Sequence, residues 1–152
     1  MKEIQLSIDG GRLFERMRTE SGKAAQIKES AGQSEKLSTH SIVTNDEKEL
    51  IEDYISTAVN ECITIISNYL GTCKPCEDST PSDIRLCVAI PDNWAEEAVE
   101  SLKDIVANII YNRSLQQWYM LVKADDTNLC ASKIQLYMKQ LQEVLSIRKR
   151  PQ

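Results

Sequence analysis

Cys73-Lys74-Pro75-Cys76 is the one string in this 152-residue chain whose residue types and spacing could do chemistry. Two thiols separated by two residues suit a redox dithiol or half of a tetrahedral zinc site. A redox pair normally opens a helix that follows a strand, because the helix dipole lowers the pKa of the first thiol. Here the pair follows a helical pattern and enters a loop holding Pro75 and Pro81, which is the wrong context. Zinc needs two more ligands. The single histidine, His40, lies in a polar stretch, and no second pair stands at metal spacing. The two thiols therefore read as loop residues. Cys62, Cys87 and Cys130 sit among apolar neighbours and read as small buried hydrophobes, so no disulfide framework is expected.

The other chemical candidates are weaker. Gly10-Gly11 is a tight turn and not a phosphate loop, because neither Gly-rich spacing nor Lys-Ser/Thr follows it. One histidine in a polar arm cannot serve a Ser/His/Asp set. Glu96, Glu97 and Glu100 lie opposite an apolar stripe and read as a solvated face. No catalytic residue, metal ligand or cofactor is expected, and the chain does not read as an enzyme.

Partner contacts are what remain. Trp118 and Tyr119 are adjacent on a helical pattern. Neighbouring residues on a helix point about 100° apart, so only one of the two is expected to face fully inward. The other is a candidate subunit contact, since aromatics are enriched at interfaces. Arg148-Lys149-Arg150 follow the last helix, where cations favour the dipole; they are also candidates to dock on an acidic partner. Ile27 and Leu37 are the only large apolar residues of the polar stretch 19–41, and so its candidate contact points.

The elements that must position these residues follow from hydrophobic period. Ile4, Leu6 and Ile8 alternate with polar residues and predict a strand over 2–8, ended by Asp9-Gly10-Gly11. A short helix is expected over 12–18, carrying Leu13, Phe14 and Met17. Residues 19–41 bury too little to offset the entropy of ordering and read as an extended or flexible arm. Thr44-x-x-Glu47 is a capping box opening a helix over 44–70, with Ile51, Tyr54, Ile55, Ala58, Val59, Cys62, Ile65, Ile66 and Tyr69 expected on its buried stripe. Ile84 to Ile90 alternates again and is expected to pair with the first strand. The longest stripe runs over 92–122, with an expected bend near Asn112-Arg113-Ser114. A last helix over 127–147 follows a short turn and should lie antiparallel to it.

The sum is a mainly α fold: a three-helix antiparallel bundle with a small two-stranded β element and a long N-terminal arm. It forms a single domain over 1–152, with 148–152 as a basic tail. Length permits a full core, and 41% of the residues are hydrophobic. The net charge is −5 and the pI about 5.0, which does not suit general binding to nucleic acid. Met1 to Gly10 has no continuous apolar core, so no signal peptide is expected. No window approaches the roughly 18 apolar residues of a membrane span.

The order of parts also resembles a known group. It comprises the Met-Lys-Glu-Ile-Gln-Leu-Ser-Ile strand and Gly turn, a helix opened by Thr44-Asn45-Asp46-Glu47, and a strand ending Ile90-Pro91-Asp92-Asn93. A helix with Gln117-Trp118-Tyr119 and a closing Arg148-Lys149-Arg150-Pro151 complete it. This is similar to small uncharacterised virion-module proteins from phages and prophages of Bacteroides-type bacteria. In size and helical layout the chain also resembles the head-to-tail adaptor (connector) proteins of tailed phages. The resemblance implies a homo-oligomeric ring between portal and tail, touching the portal and adjacent neck or tail proteins. Such a ring encloses the DNA channel without sequence-specific binding and has no membrane partner. It implies synthesis in the host cytoplasm and a final place in the virion neck. The alternatives are a tail completion or terminator protein, a non-viral cytoplasmic helical adaptor, and a thiol enzyme using Cys73 and Cys76.

Overall fold

The computed structural model describes residues 2–30, 42–122 and 127–148. The expected contact residues Leu37, Lys149 and Arg150 lie outside the described residues, as does the side chain of Ile27. In chain order the elements are β1 (Lys2–Ile8), α1 (Gly10–Ser30), α2 (Lys48–Tyr69), β2 (Cys73–Pro75), β3 (Ile84–Ile90), α3 (Val99–Leu121) and α4 (Thr127–Leu145). One 3-10 turn, Asn45–Glu47, leads into α2, and another, Glu96–Ala98, leads into α3. The fold is mainly helical with a small antiparallel sheet. No helix among the described residues is long and apolar enough to cross a membrane.

The sheet has three strands where two were expected, in the order β1-β3-β2. β1 and β3 pair antiparallel over their whole length, from Lys2 opposite Ile90 to Ile8 opposite Ile84. Period two sets which side chains are inside: Leu6 and Ile8 of β1 and Ile84, Leu86, Val88 and Ile90 of β3 are buried. β2 adds on the far side of β3, with Cys73 opposite Val88 and Pro75 opposite Leu86. A three-residue segment ending in proline carries almost no pattern to read. Proline is tolerated there because β2 is an edge strand.

The helical layer differs more from expectation. α1 runs through Ser30 and does not stop at Arg18, so the first twelve residues of the expected arm are helix. Its buried positions after Met17 are Ser21 and Ala25, which keep the spacing of four but are too small to register as an apolar stripe. Ser21 Oγ accepts from the backbone N–H of Val43 at 2.9 Å, tying α1 to the start of α2. The capping box forms as predicted. Thr44 Oγ1 accepts from the N–H of Asp46 at 3.3 Å, and Glu47 Oε2 accepts from the N–H of Thr44 at 2.9 Å.

α3 begins at Val99, seven residues later than expected. The residues before it make a turn around Trp94, whose N–H donates to Pro91 O at 3.0 Å. The Trp94 indole is fully buried and donates through Nε1 to Val144 O at 3.1 Å, beneath the end of α4. The helix does not break near Asn112, where a bend or break is expected, and the polar groups there bond to carbonyls of its preceding turn. Asn112 Nδ2 donates to Asn108 O at 2.8 Å and Ser114 Oγ to Ile110 O at 2.8 Å. α3 is packed against β1, α1, α2 and α4, so the described residues place four helices around the sheet where three are expected.

Candidate functional site

Three places could carry function: the sulfur cluster, the surface at the α3–α4 end, and a cleft beside α1. The sulfurs are arranged otherwise than their spacing predicts. Cys76 and Cys87 form a disulfide across β2 and β3, with Cα atoms 5.8 Å apart. Register explains the choice. Cys73 stands opposite Val88 and is buried toward α2, whereas Cys76 lies one residue past β2 and falls with Cys87 on the outer sheet face. Gln5 of β1 is opposite Cys87 on that face, and its Nε2 lies 3.6 Å from Cys76 Sγ. The C-x-x-C spacing is therefore not the pairing, and Cys87 is not a buried hydrophobe. Burial pushes the Cys73 thiol up to about 11 and, with the neighbouring Glu61 charge and Cys73 itself, the Cys62 thiol up to about 12. Thiols held protonated in this way are poor nucleophiles, the reverse of what a redox dithiol needs.

A cleft of about 820 Å³ lies between the start of α1 and the outer side of α3. Its geometry begins at Gly10. A Cβ there would stand 1.8 Å from Pro81 O, so only glycine lets the helix start against the loop before β3. Gly11 N donates to Ser82 O at 3.1 Å, and the Asp9 carboxylate accepts from the N–H of Arg12 at 3.1 Å as an N-terminal cap. Arg12 and Arg16, one helical turn apart, line one wall; Lys103, Asp104 and Asn108 of α3 line the other. The Arg16 guanidinium lies 4.0 Å over the Tyr111 ring, a cation–π contact. A second groove of about 370 Å³ continues the cleft along α1 past Glu20 and Lys23.

The acids of the cleft are partly spoken for. Asp83 is 3.0 Å from Arg85, and Asp9 serves as the cap. Among the described residues, no ion pair engages Arg12 or Lys103. The cleft is built on two helices and one loop and carries both signs of charge, Arg12, Arg16 and Lys103 with Asp9, Asp83 and Asp104.

No family model, curated protein or solved structure matches this chain. The site is therefore read from geometry alone.

The expected contact residues fall as follows. Trp118 and Tyr119 are each 3% exposed, so neither is a surface contact. Both turn inward because α3 is covered on several sides. The exposed apolar residues are their successors, Met120 and Leu121, and then Leu129 and Leu136 of α4. Arg148 is folded onto the body and is not part of a free tail: it donates to Leu145 O at 2.8 Å, Ile147 O at 3.0 Å and Tyr69 O at 3.3 Å. Its backbone also bridges to Trp94. Ile27 lies on α1, within the part of the expected arm that is helical. Leu129 and Leu136 lie about 100° around α4 from the stripe of Cys130, Ile134 and Leu141, on a side that the sequence reading assigns no role.

Proposed function

We propose that this chain acts by assembly, as a head-to-tail adaptor subunit that forms a homo-oligomeric ring between a phage portal and the tail. The reading joins the sequence resemblance to one observation. Four large apolar side chains of the α3–α4 hairpin stand in solvent: Met120 at 59% and Leu121 at 55% exposure at the end of α3, Leu129 at 57% in the first turn of α4, and Leu136 at 53% midway along it. Leu129 and Leu136 are seven residues apart and share one side of α4. Clustered exposed apolar residues mark surfaces that are covered in an assembly. In a ring of adaptor subunits, these residues of each hairpin pack against a neighbouring chain, while the acidic body leaves duplex DNA free to pass.

The test is direct. The purified full chain, alone and mixed with the portal protein of its own virion, is imaged by negative-stain electron microscopy and sized by light scattering. Closed rings are expected in at least one of the two samples. A monomer at high concentration in both overturns the proposal. Replacing Leu129 and Leu136 together by Glu is expected to abolish rings and leave the helical circular-dichroism signal intact.

A further inference from the structure

The two edges of the sheet are unlike. β2 closes one edge with three residues and ends in Pro75, which blunts that edge against further pairing. β1 forms the other edge with seven residues, unbroken by proline, glycine or a bulge in its register with β3. The ladder fixes which groups the β1 edge offers. Ala89 N donates to Thr72 O at 2.8 Å and Cys76 N to Arg85 O at 2.9 Å, so the odd residues of β3 turn their backbone toward β2. The even residues of β3 serve β1, and they stand opposite the even residues of β1. Glu3, Gln5 and Ser7 therefore direct their N–H and C=O groups away from the sheet. All three residues are exposed, and among the described residues no other element bonds to their backbone. The inner face is unfinished at this edge as well, for Ile4 is half-buried where Leu6 and Ile8 are buried.

We infer that this edge is a dimer contact, in which β1 of a second copy of this chain adds antiparallel to β1 and joins the two sheets into one. The strand's own sequence selects that occupant. With Gln5 opposite Gln5 of the second copy, Glu3 falls opposite Ser7 and Ser7 opposite Glu3. Every outward-directed backbone group then has a partner, two hydrogen bonds for each facing pair. The Ser7 hydroxyl can donate to the Glu3 carboxylate, the two Gln5 amides can pair, and no like charges face each other. On the inner face Ile4 meets Leu6 of the second copy, which covers it. Other registers are worse. A shift of one residue turns the apolar side chains to the solvent face. A shift of two carries Ser7 past the start of the partner strand in one direction, and sets Glu3 opposite Asp9 in the other. The contact is isologous and by itself stops at a dimer. It is independent of the ring reading, because the α3–α4 surface lies on other elements.

The test uses the full chain carrying Leu129→Glu and Leu136→Glu, which removes the hairpin surface and leaves the edge. Analytical ultracentrifugation is expected to show dimers in this background, and a monomer at about 1 mM overturns the inference. Adding Gln5→Pro removes an outward N–H on each side of the dyad and takes no bond from the β1–β3 ladder. Circular dichroism should be unchanged and dimerisation weaker by about tenfold or more. Gln5→Lys and Gln5→Glu test the register without removing a backbone donor. Each alone sets like charges opposite one another and is expected to weaken the dimer by about threefold, and the equimolar mixture is expected to form heterodimers more tightly than either. Dimers unaltered by Gln5→Pro, or a mixture no tighter than the charged variants alone, overturn the inference. If Gln5→Pro does not fold, the charged pair decides. A parent that forms rings while the hairpin variant is monomeric overturns this inference and leaves the ring reading. A parent that forms dimers and no rings, with or without portal, does the reverse.

Discussion

α3 and α4 lie side by side and are similar in length, but α3 carries apolar residues around most of its surface and α4 mainly on one side, and the fold treats them differently. α3 is packed against β1 and three helices, and its buried residues include Asn112, Ser114, Trp118 and Tyr119 as well as its aliphatics. α4 buries Cys130, Ile134, Leu141, Val144 and Leu145 on one side and leaves Leu129 and Leu136 in water. The lesson is that an apolar residue is a core residue only where a neighbouring layer exists to cover it. Pattern gives the stripe, and topology decides how much of it is used.

That contrast can be broken, starting with the largest effect. Trp118→Ala should cost about 3–5 kcal/mol, because it empties a volume enclosed on several sides. Chemical denaturation reads it, and a loss under 1 kcal/mol would mean that the end of α3 is not enclosed. Ile134→Ala, on the covered side of α4, should cost about 2–4 kcal/mol in the same measurement. Arg148→Ala removes donors to Leu145 O and Tyr69 O and should lower stability by about 1 kcal/mol, seen as a drop of a few degrees in Tm. Leu136→Gln should leave stability within about 0.5 kcal/mol, since the side chain is already in solvent. If Leu136→Gln destabilises the single chain as much as Ile134→Ala, the two sides of α4 are not distinct.

Sequence pattern reaches the strands best. Alternation identifies β1 and β3, and their pairing follows because each has one apolar face to hide. The capping box at Thr44 and Glu47 forms for the local reason its spacing implies. What pattern does not carry is small or distant. Ser21 and Ala25 extend α1 through close approach to neighbours, so the stripe is invisible to a search for large apolar residues. The disulfide depends on register between β2 and β3: the nearer thiol, Cys73, faces inward and the farther one, Cys87, faces its partner. The cleft depends on α1 and α3 meeting, with Arg16 and Lys103 87 positions apart in sequence, and no local rule anticipates that.

The covalent link between Cys76 and Cys87 also governs what happens to the chain if it is cut. Glu77, Asp78, Thr80, Ser82 and Asp83 stand exposed between the two sulfurs, in the segment on which Gly10 rests. A protease nick anywhere in that stretch leaves two pieces that migrate together on a denaturing gel and separate only after a thiol reductant is added.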